Sequence, residues 1–88
     1  MIQKVLTVQN HMGIHARPAT KLVQAANTFP CEIIIEKDGK RINGKSIMGV
    51  MAMAAMYQDR LTVTTDGEGE AEAIEAIGEI IEASHEEA

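Results

Sequence analysis

A histidine and an arginine stand two residues apart in segment 13–19, whose sequence is Gly-Ile-His-Ala-Arg-Pro-Ala. Gly13 permits a tight turn, and the neutral imidazole of His15 offers a nucleophilic ring nitrogen near physiological pH. The guanidinium of Arg17 can bind phosphate oxygens, and the free N–H groups of a first helical turn can bind an anion. Pro18 fits such a turn because its missing N–H would be unpaired there. The segment therefore predicts a phosphate site, with His15 as the phosphoryl acceptor and Arg17 as the stabilising group.

His15 and Arg17 are compatible with three classes of function: a phosphocarrier, a regulatory binding module controlled through Ser46, and a small hydrolase. The sequence has no Gly-rich loop ending in lysine and Ser/Thr, which would clamp a phosphate group together with a metal ion. It also has no general base placed to activate water. A phosphoryl group on a ring nitrogen is reactive enough to be passed on, so these features favour a carrier without turnover of its own.

The remaining histidines and the single cysteine do not predict a metal or cofactor site. His11 lies four residues before His15, but no carboxylate or thiol is close in sequence, so a metal pair is not expected. His85 is expected to be solvated in the tail. Cys31 has no second cysteine, which excludes an internal disulfide, and we expect a buried thiol at a strand start.

Length and charge bound the class of protein. The 88 residues suit a single domain, residues 1–88, with an aliphatic core because only 2% are aromatic. Residues 1–45 carry seven Lys or Arg and three Asp or Glu, whereas residues 46–88 carry one and ten. The net charge of −5 and the scarcity of aromatic residues argue against nucleic-acid binding, and the basic half suits a partner with an acidic face. Neither a secretory signal nor a membrane-length apolar run is recognisable, so a cytoplasmic protein without membrane insertion is expected.

The hydrophobic pattern predicts alternating strands and helices. Strands are predicted over residues 2–8, 31–37, 40–43 and 61–65, and helices over residues 16–27, 47–53 and 70–83. Asp38-Gly39 predicts a two-residue hairpin turn, and the tail 84–88 is expected to fray. The order predicts an α+β fold with two layers, in which a four-stranded, mainly antiparallel sheet carries three helices on one face. The residues alone leave open whether the strand order is ferredoxin-like or another.

Ser46 is predicted to cap the second helix, because serine commonly accepts a backbone hydrogen bond at that position. A phosphate added there would meet the positive end of a helix, and it would change how an acidic partner docks. The helix that follows is apolar nearly all round, more than one buried stripe requires. Part of it should be exposed as a methionine-rich surface suited to several partners.

Two motifs make the chain resemble the HPr family, the histidine-containing phosphocarriers of the bacterial phosphoenolpyruvate-dependent phosphotransferase system. One is segment 13–19, and the other is segment 44–51, whose sequence is Gly-Lys-Ser-Ile-Met-Gly-Val-Met. The similarity extends over almost the full length without gaps. It implies an open-faced β-sandwich with strand order 1-4-2-3.

The resemblance also implies roles for individual residues. It implies that His15 accepts a phosphoryl group on Nδ1 from phosphorylated enzyme I and donates it to the IIA domain of a sugar permease, with Arg17 assisting. Ser46 is similar to the site used by an ATP-dependent HPr kinase/phosphorylase. The family's partner-binding patch matches Ile47, Met48 and Met51. A monomer is expected, without cofactor or metal.

Four residues depart from the family pattern. Met12 replaces a residue that is usually small or polar, Ala54 and Gln58 stand where glycine is frequent, and Gly69 replaces a common aspartate. None of them alters the chemistry at His15. They leave open whether this chain serves sugar uptake or is a mainly regulatory paralogue, in a nitrogen-related branch or as a co-regulator of a transcription factor.

Overall fold

The computed structural model describes residues 1–83, which form four β-strands and three α-helices. In chain order these are β1 (Ile2–Thr7), α1 (Ala16–Ala26), β2 (Glu32–Lys37), β3 (Lys40–Asn43), α2 (Ile47–Met53), β4 (Arg60–Asp66) and α3 (Glu70–Ile81). Every predicted element is present, although α3 ends at Ile81 rather than at the predicted position 83. The predictions for the tail and for His85 lie outside the described residues. Within residues 1–83 no helix combines the length and hydropathy needed to cross a bilayer.

The strands form one antiparallel sheet in the order β1-β4-β2-β3. This confirms the order implied by the family resemblance. The predicted hairpin between β2 and β3 is also confirmed, because Lys37 pairs with Lys40 across a two-residue turn. Asp38 and Gly39 both take positive φ, 52° and 81°, which matches the twist of the flanking strands.

One face of the sheet is covered and the other is open. Alternate residues of the two inner strands are fully buried, namely Ile33, Ile35, Leu61, Val63 and Thr65. The helices contribute the opposite layer of the core through Ala19, Leu22 and Ala26 of α1, Val50 and Met53 of α2, and Ala73, Ile74, Ile77 and Ile81 of α3. Cys31 joins this core as a buried free thiol, as predicted. The predicted two-layer, open-faced α+β sandwich is therefore confirmed.

Helices α1 and α2 lie side by side in opposite directions. At one end, the N–H of Ile14 donates to the carbonyl of Ala55 at 2.8 Å, which joins the start of α1 to the end of α2. At the other end, the side-chain amide of Asn27 donates to the carbonyl of Lys45 at 3.1 Å. His15 and Ser46 consequently lie near opposite ends of this helix pair.

Candidate functional site

The loop before α1 is folded by a buried asparagine and a glycine. The side-chain oxygen of Asn10 accepts from the N–H of Met12 at 2.9 Å, and its carbonyl accepts from the N–H of Gly13 at 2.8 Å. Gly13 has φ +76°, and a Cβ at this position would lie 2.5 Å from the Ala55 carbonyl oxygen. Glycine is required here both for the backbone conformation and for the close approach of two loops.

Ile14 anchors this loop in the protein, because its side chain is buried and its N–H binds the Ala55 carbonyl. His15 follows as the N-cap residue of α1, and its carbonyl accepts from the N–H of Ala19 at 2.9 Å. Its imidazole makes no capping hydrogen bond. The predicted loop-to-helix junction is therefore present, and the backbone of His15 is fixed while its ring is free of a capping role.

The two ring nitrogens of His15 are in different surroundings. The side chain is half-buried, and its Nε2 is buried with no hydrogen-bond partner among residues 1–83. Nε2 therefore faces the protein rather than solvent. A neutral ring with its proton on Nε2 would present a lone pair at Nδ1.

Positive potential at this helix start is not cancelled by nearby acid groups. The first turn of α1 contains no Asp or Glu, and Arg17 is exposed in that turn. No carboxylate of the described part of the chain forms an ion pair with Arg17. Free N–H groups, the helix dipole and a guanidinium therefore favour an anion beside His15.

Ser46 caps α2, as predicted. Its Oγ accepts from the N–H of Gly49 at 3.1 Å, and its carbonyl accepts from the N–H of Val50 at 2.9 Å. The residue before it, Lys45, donates from Nζ to the carbonyl of Phe29 at 2.7 Å. These bonds fix the serine at the end of the helix pair remote from His15.

The apolar helix α2 is only half covered, which confirms the predicted exposure. Val50 and Met53 are buried, whereas the outward face shows Met48 at 79% exposure and both Ile47 and Met51 at 42%. Two further exposed methionines, Met12 and Met56, lie in the loops at the His15 end. The methionine face, as we call Ile47, Met48, Met51, Met12 and Met56, thus runs between the two ends of the helix pair.

Three of the four departures from the family pattern have a backbone with positive φ. Ala54, the C-cap of α2, has φ 53° and ψ 46°, and Gln58 has φ 72°. Both are left-handed conformations that glycine adopts most easily, so the glycine frequent at these positions has a structural reason. Gly69 also has a left-handed φ of 81° and caps α3 without a side chain. The positive φ angles of Ala54 and Gln58 are not evident from their residue types, because neither alanine nor glutamine signals such a conformation.

Comparison with known proteins identifies the family. A model described as the PTS HPr component phosphorylation site matches residues 2–83. The chain belongs to the HPr family. The HPr-like protein Crh of Halalkalibacterium halodurans is 48% identical over 82 residues, covering 93% of this chain and 98% of that protein. The phosphocarrier protein HPr of Treponema pallidum is 44% identical over 87 residues, covering 99% of each.

A solved structure supports the same assignment. The phosphocarrier protein HPr of Bacillus anthracis has a TM-score of 0.87 and 45% identity, covering 91% of this chain and 95% of its own. This chain is therefore an HPr-family phosphocarrier protein with the open-faced sheet of that family. Dimeric forms of HPr and of Crh have also been solved, so the expected monomer stays a prediction.

Proposed function

We propose that this protein accepts a phosphoryl group on Nδ1 of His15 from phosphorylated enzyme I and passes it to IIA domains of sugar permeases. The observation that carries the proposal is the state of His15 at the start of α1. Its Nε2 is buried, its ring makes no capping bond, and no acidic residue stands in the first helical turn. This arrangement supports a nucleophile at Nδ1 facing a developing negative charge.

In the proposed step, the Nδ1 lone pair of His15 forms a bond to phosphorus while the bond from phosphorus to the donor breaks. The donor keeps that electron pair, and the His15 proton stays on Nε2. Arg17 and the free N–H groups of the first turn reduce the charge on the phosphoryl oxygens. The reverse sequence of bond changes delivers the group to the acceptor.

Weak binding of the phosphoryl group distinguishes the proposed carrier from a hydrolase. The phosphoryl group would be bound by one exposed arginine and helix N–H groups, which can release it to a second protein. The first turn of α1 offers no carboxylate that could act as a general base on water. Turnover of the isolated protein is therefore not expected.

The methionine face is proposed to dock enzyme I and the IIA domains. Ile47, Met48 and Met51 provide flexible apolar contacts that can adapt to different partners. Arg17 at one end and the basic N-terminal half of the chain complement an acidic docking surface. A monomer in the cytoplasm is the form in which we expect these encounters.

Ser46 is proposed to be phosphorylated by an HPr kinase/phosphorylase. A phosphate would add about −1.5 to −2 charges at the N-terminus of α2, where a negative charge is tolerated. The fold should remain, but the charge would oppose an acidic partner at the end of the methionine face nearest Ser46. Phosphoryl acceptance at His15 should therefore slow without loss of structure.

The alternative is a mainly regulatory paralogue, in a nitrogen-related branch or as a co-regulator of a transcription factor. Its support is the 48% identity to an HPr-like protein, Crh. In that case binding of a transcriptional regulator after Ser46 phosphorylation would be the main activity.

Incubation with phosphoenolpyruvate and enzyme I tests the proposal. We expect one acid-labile phosphoryl group per chain, its absence from His15→Ala, and slower acceptance by Arg17→Ala. Labelling of His15→Ala to the wild-type level would refute the assignment. Release of phosphate from a generic phosphoester by the isolated protein would instead favour a hydrolase.

A further inference from the structure

The last residue of β2 reaches across to the end of α2. The ammonium of Lys37 lies 3.4 Å from the Met53 carbonyl oxygen, 3.2 Å from the Ala54 carbonyl oxygen and 3.3 Å from Oδ2 of Asp59. It thus contacts the loop 54–59, which joins α2 to β4, at both of its ends. The two carbonyls belong to a helix C-terminus, where a cation is favoured and the carbonyls lack helical partners.

Asp59, which pairs with the Lys37 ammonium, also binds the backbone of loop 54–59. Its Oδ2 accepts from the N–H of Met56 at 2.7 Å, and its own N–H donates to the Met56 carbonyl at 2.9 Å. The Met56 hydrogen bond and then the Lys37 ammonium hold the pKa of the Asp59 carboxyl below its ordinary value. The side chains of Lys37 and Asp59 are only 20% and 32% exposed, so this pair is better shielded than an ordinary surface pair.

The loop held in this way supports the loop that carries His15. Its buried residue Ala55 offers its carbonyl to the N–H of Ile14 at 2.8 Å. The same carbonyl lies so close to Gly13 that no side chain fits there. A displacement of Ala55 would therefore be transmitted directly to the two residues before His15.

The loop needs outside contacts because its own sequence disfavours its backbone. Ala54 and Gln58 hold left-handed conformations without being glycine. Lys37 binds the carbonyl of Ala54 itself, and Asp59 directly follows Gln58. The Lys37 side chain therefore binds one strained residue directly, and the Asp59 side chain binds the Met56 N–H within the same loop.

We propose that Lys37 and Asp59 are positioning residues for phosphoryl transfer, which fix His15 by holding loop 54–59 against residues 13 and 14. Neither touches the reacting atoms. The part of this inference that concerns phosphoryl transfer rests on the function proposed above.

Three variants and a control test the inference. Lys37→Met keeps the aliphatic stem and removes the ammonium, Asp59→Asn removes the charge, and Lys37→Arg keeps a cation. The control is Lys4→Met, which breaks the exposed pair between Lys4 and Glu75 at 3.2 Å. That pair joins β1 to α3, elements that do not contribute to loop 54–59.

Amide hydrogen exchange and the rate of phosphoryl acceptance from phosphorylated enzyme I are measured on each variant under conditions in which it is folded. Exchange at Ile14 is divided by exchange at Thr28, whose N–H bonds the Ala25 carbonyl at the exposed end of α1 and opens by local fraying. An amide that opens only on global unfolding is not a suitable reference, because loss of the Lys37 contact would raise its exchange together with that of Ile14. We expect this ratio to rise about tenfold or more in Lys37→Met, as the loss of a charge-assisted hydrogen bond implies. A smaller rise is expected in Asp59→Asn, and Lys37→Arg and Lys4→Met should stay within about twofold of wild type.

The acceptance rate should fall severalfold in Lys37→Met and recover in Lys37→Arg. An Ile14 ratio in Lys37→Met no higher than in Lys4→Met would overturn the inference whatever the transfer rate. A raised ratio with an unchanged acceptance rate would also overturn it, because the loop would then not position His15. If wild type accepted no phosphoryl group, the proposed function would fail, and the exchange ratio alone would decide whether Lys37 holds the loop.

Discussion

Replacing Gly13 with alanine tests the close approach on which the site is built. Two effects contribute to the change in stability. The residue has φ +76°, where an alanine is disfavoured by about 1–2 kcal/mol, and part of this is offset by the lower entropy of the unfolded alanine chain. The conformational effect alone is therefore about 1 kcal/mol.

The second effect is steric. The new Cβ would lie 2.5 Å from the Ala55 carbonyl oxygen, whereas ordinary contact begins at 3.4 Å. The loops must separate, and the buried hydrogen bond of 2.8 Å from the Ile14 N–H to the same carbonyl must lengthen. Weakening a buried backbone hydrogen bond costs about 1–3 kcal/mol. We therefore expect Gly13→Ala to lower the unfolding free energy by about 3 kcal/mol in total, which corresponds to a Tm lower by roughly 12–24 °C.

Gly39→Ala is the matched control, because Gly39 has φ +81° but its Cβ would meet no atom within 4 Å. Its unfolding free energy should fall only by the conformational contribution, about 1 kcal/mol. Denaturant unfolding of both variants gives the difference in unfolding free energy directly. Equal losses in the two variants would refute the steric argument. Phosphoryl acceptance should fall in Gly13→Ala and be unchanged in Gly39→Ala, since only Gly13 adjoins the His15 loop.

Three further predictions concern the helix α2 and the loop after it. Ala54→Gly should raise the unfolding free energy by up to about 1 kcal/mol because it relieves a left-handed alanine, whereas Ala52→Gly inside α2 should lower it by a similar amount; denaturant unfolding measures both. Ser46→Ala should lower the unfolding free energy by about 1 kcal/mol because the helix cap is lost, whereas Ser46→Asp should keep most of the cap's contribution. Thermal unfolding of the two variants checks this. Because the pKa of Asp59 is lowered on folding, its stabilisation is present above its ordinary value of 3.8 and is lost as the pH falls through the folded value. The stability difference between wild type and Asp59→Asn, measured against pH, should accordingly shrink below about pH 4, and a constant difference would contradict the assigned cause.

The elements could be predicted because local signals agreed with the fold. Alternating apolar residues marked the strands, Ser46 marked a helix start, and Asp38-Gly39 marked a tight hairpin whose positive φ angles the structure shows. The strand order could not be derived from these signals. β4 pairs with both β1 and β2 although it is the last strand in the chain, and only the family resemblance selected that order.

The residue types of the candidate site can be proposed from the sequence, whereas the contacts that support the site cannot. Gly13 and His15 lie two residues apart in a recognisable segment, so roles for both can be predicted from the sequence. The contact between Lys37 and Asp59 joins residues far apart in sequence, and nothing local distinguishes Lys37 from other strand-end lysines. Asn10 is equally inconspicuous, although it folds the loop before His15 through two hydrogen bonds.

The antiparallel packing of α1 and α2 gives a physical reason why the proposed transfer at His15 and the proposed regulation at Ser46 would be compatible in one small protein. His15 adjoins the end of α2, whereas Ser46 adjoins the end of α1, and the seven residues of α2 alone span about 10 Å. At that distance, direct interaction between a phosphate on Ser46 and the reacting nitrogen is largely screened at physiological salt. A partner that covers the methionine face, by contrast, would approach both ends at once. The charge on Ser46 should therefore act on docking rather than on the chemistry of His15, and it should raise the apparent KM for phosphorylated enzyme I more than it lowers kcat.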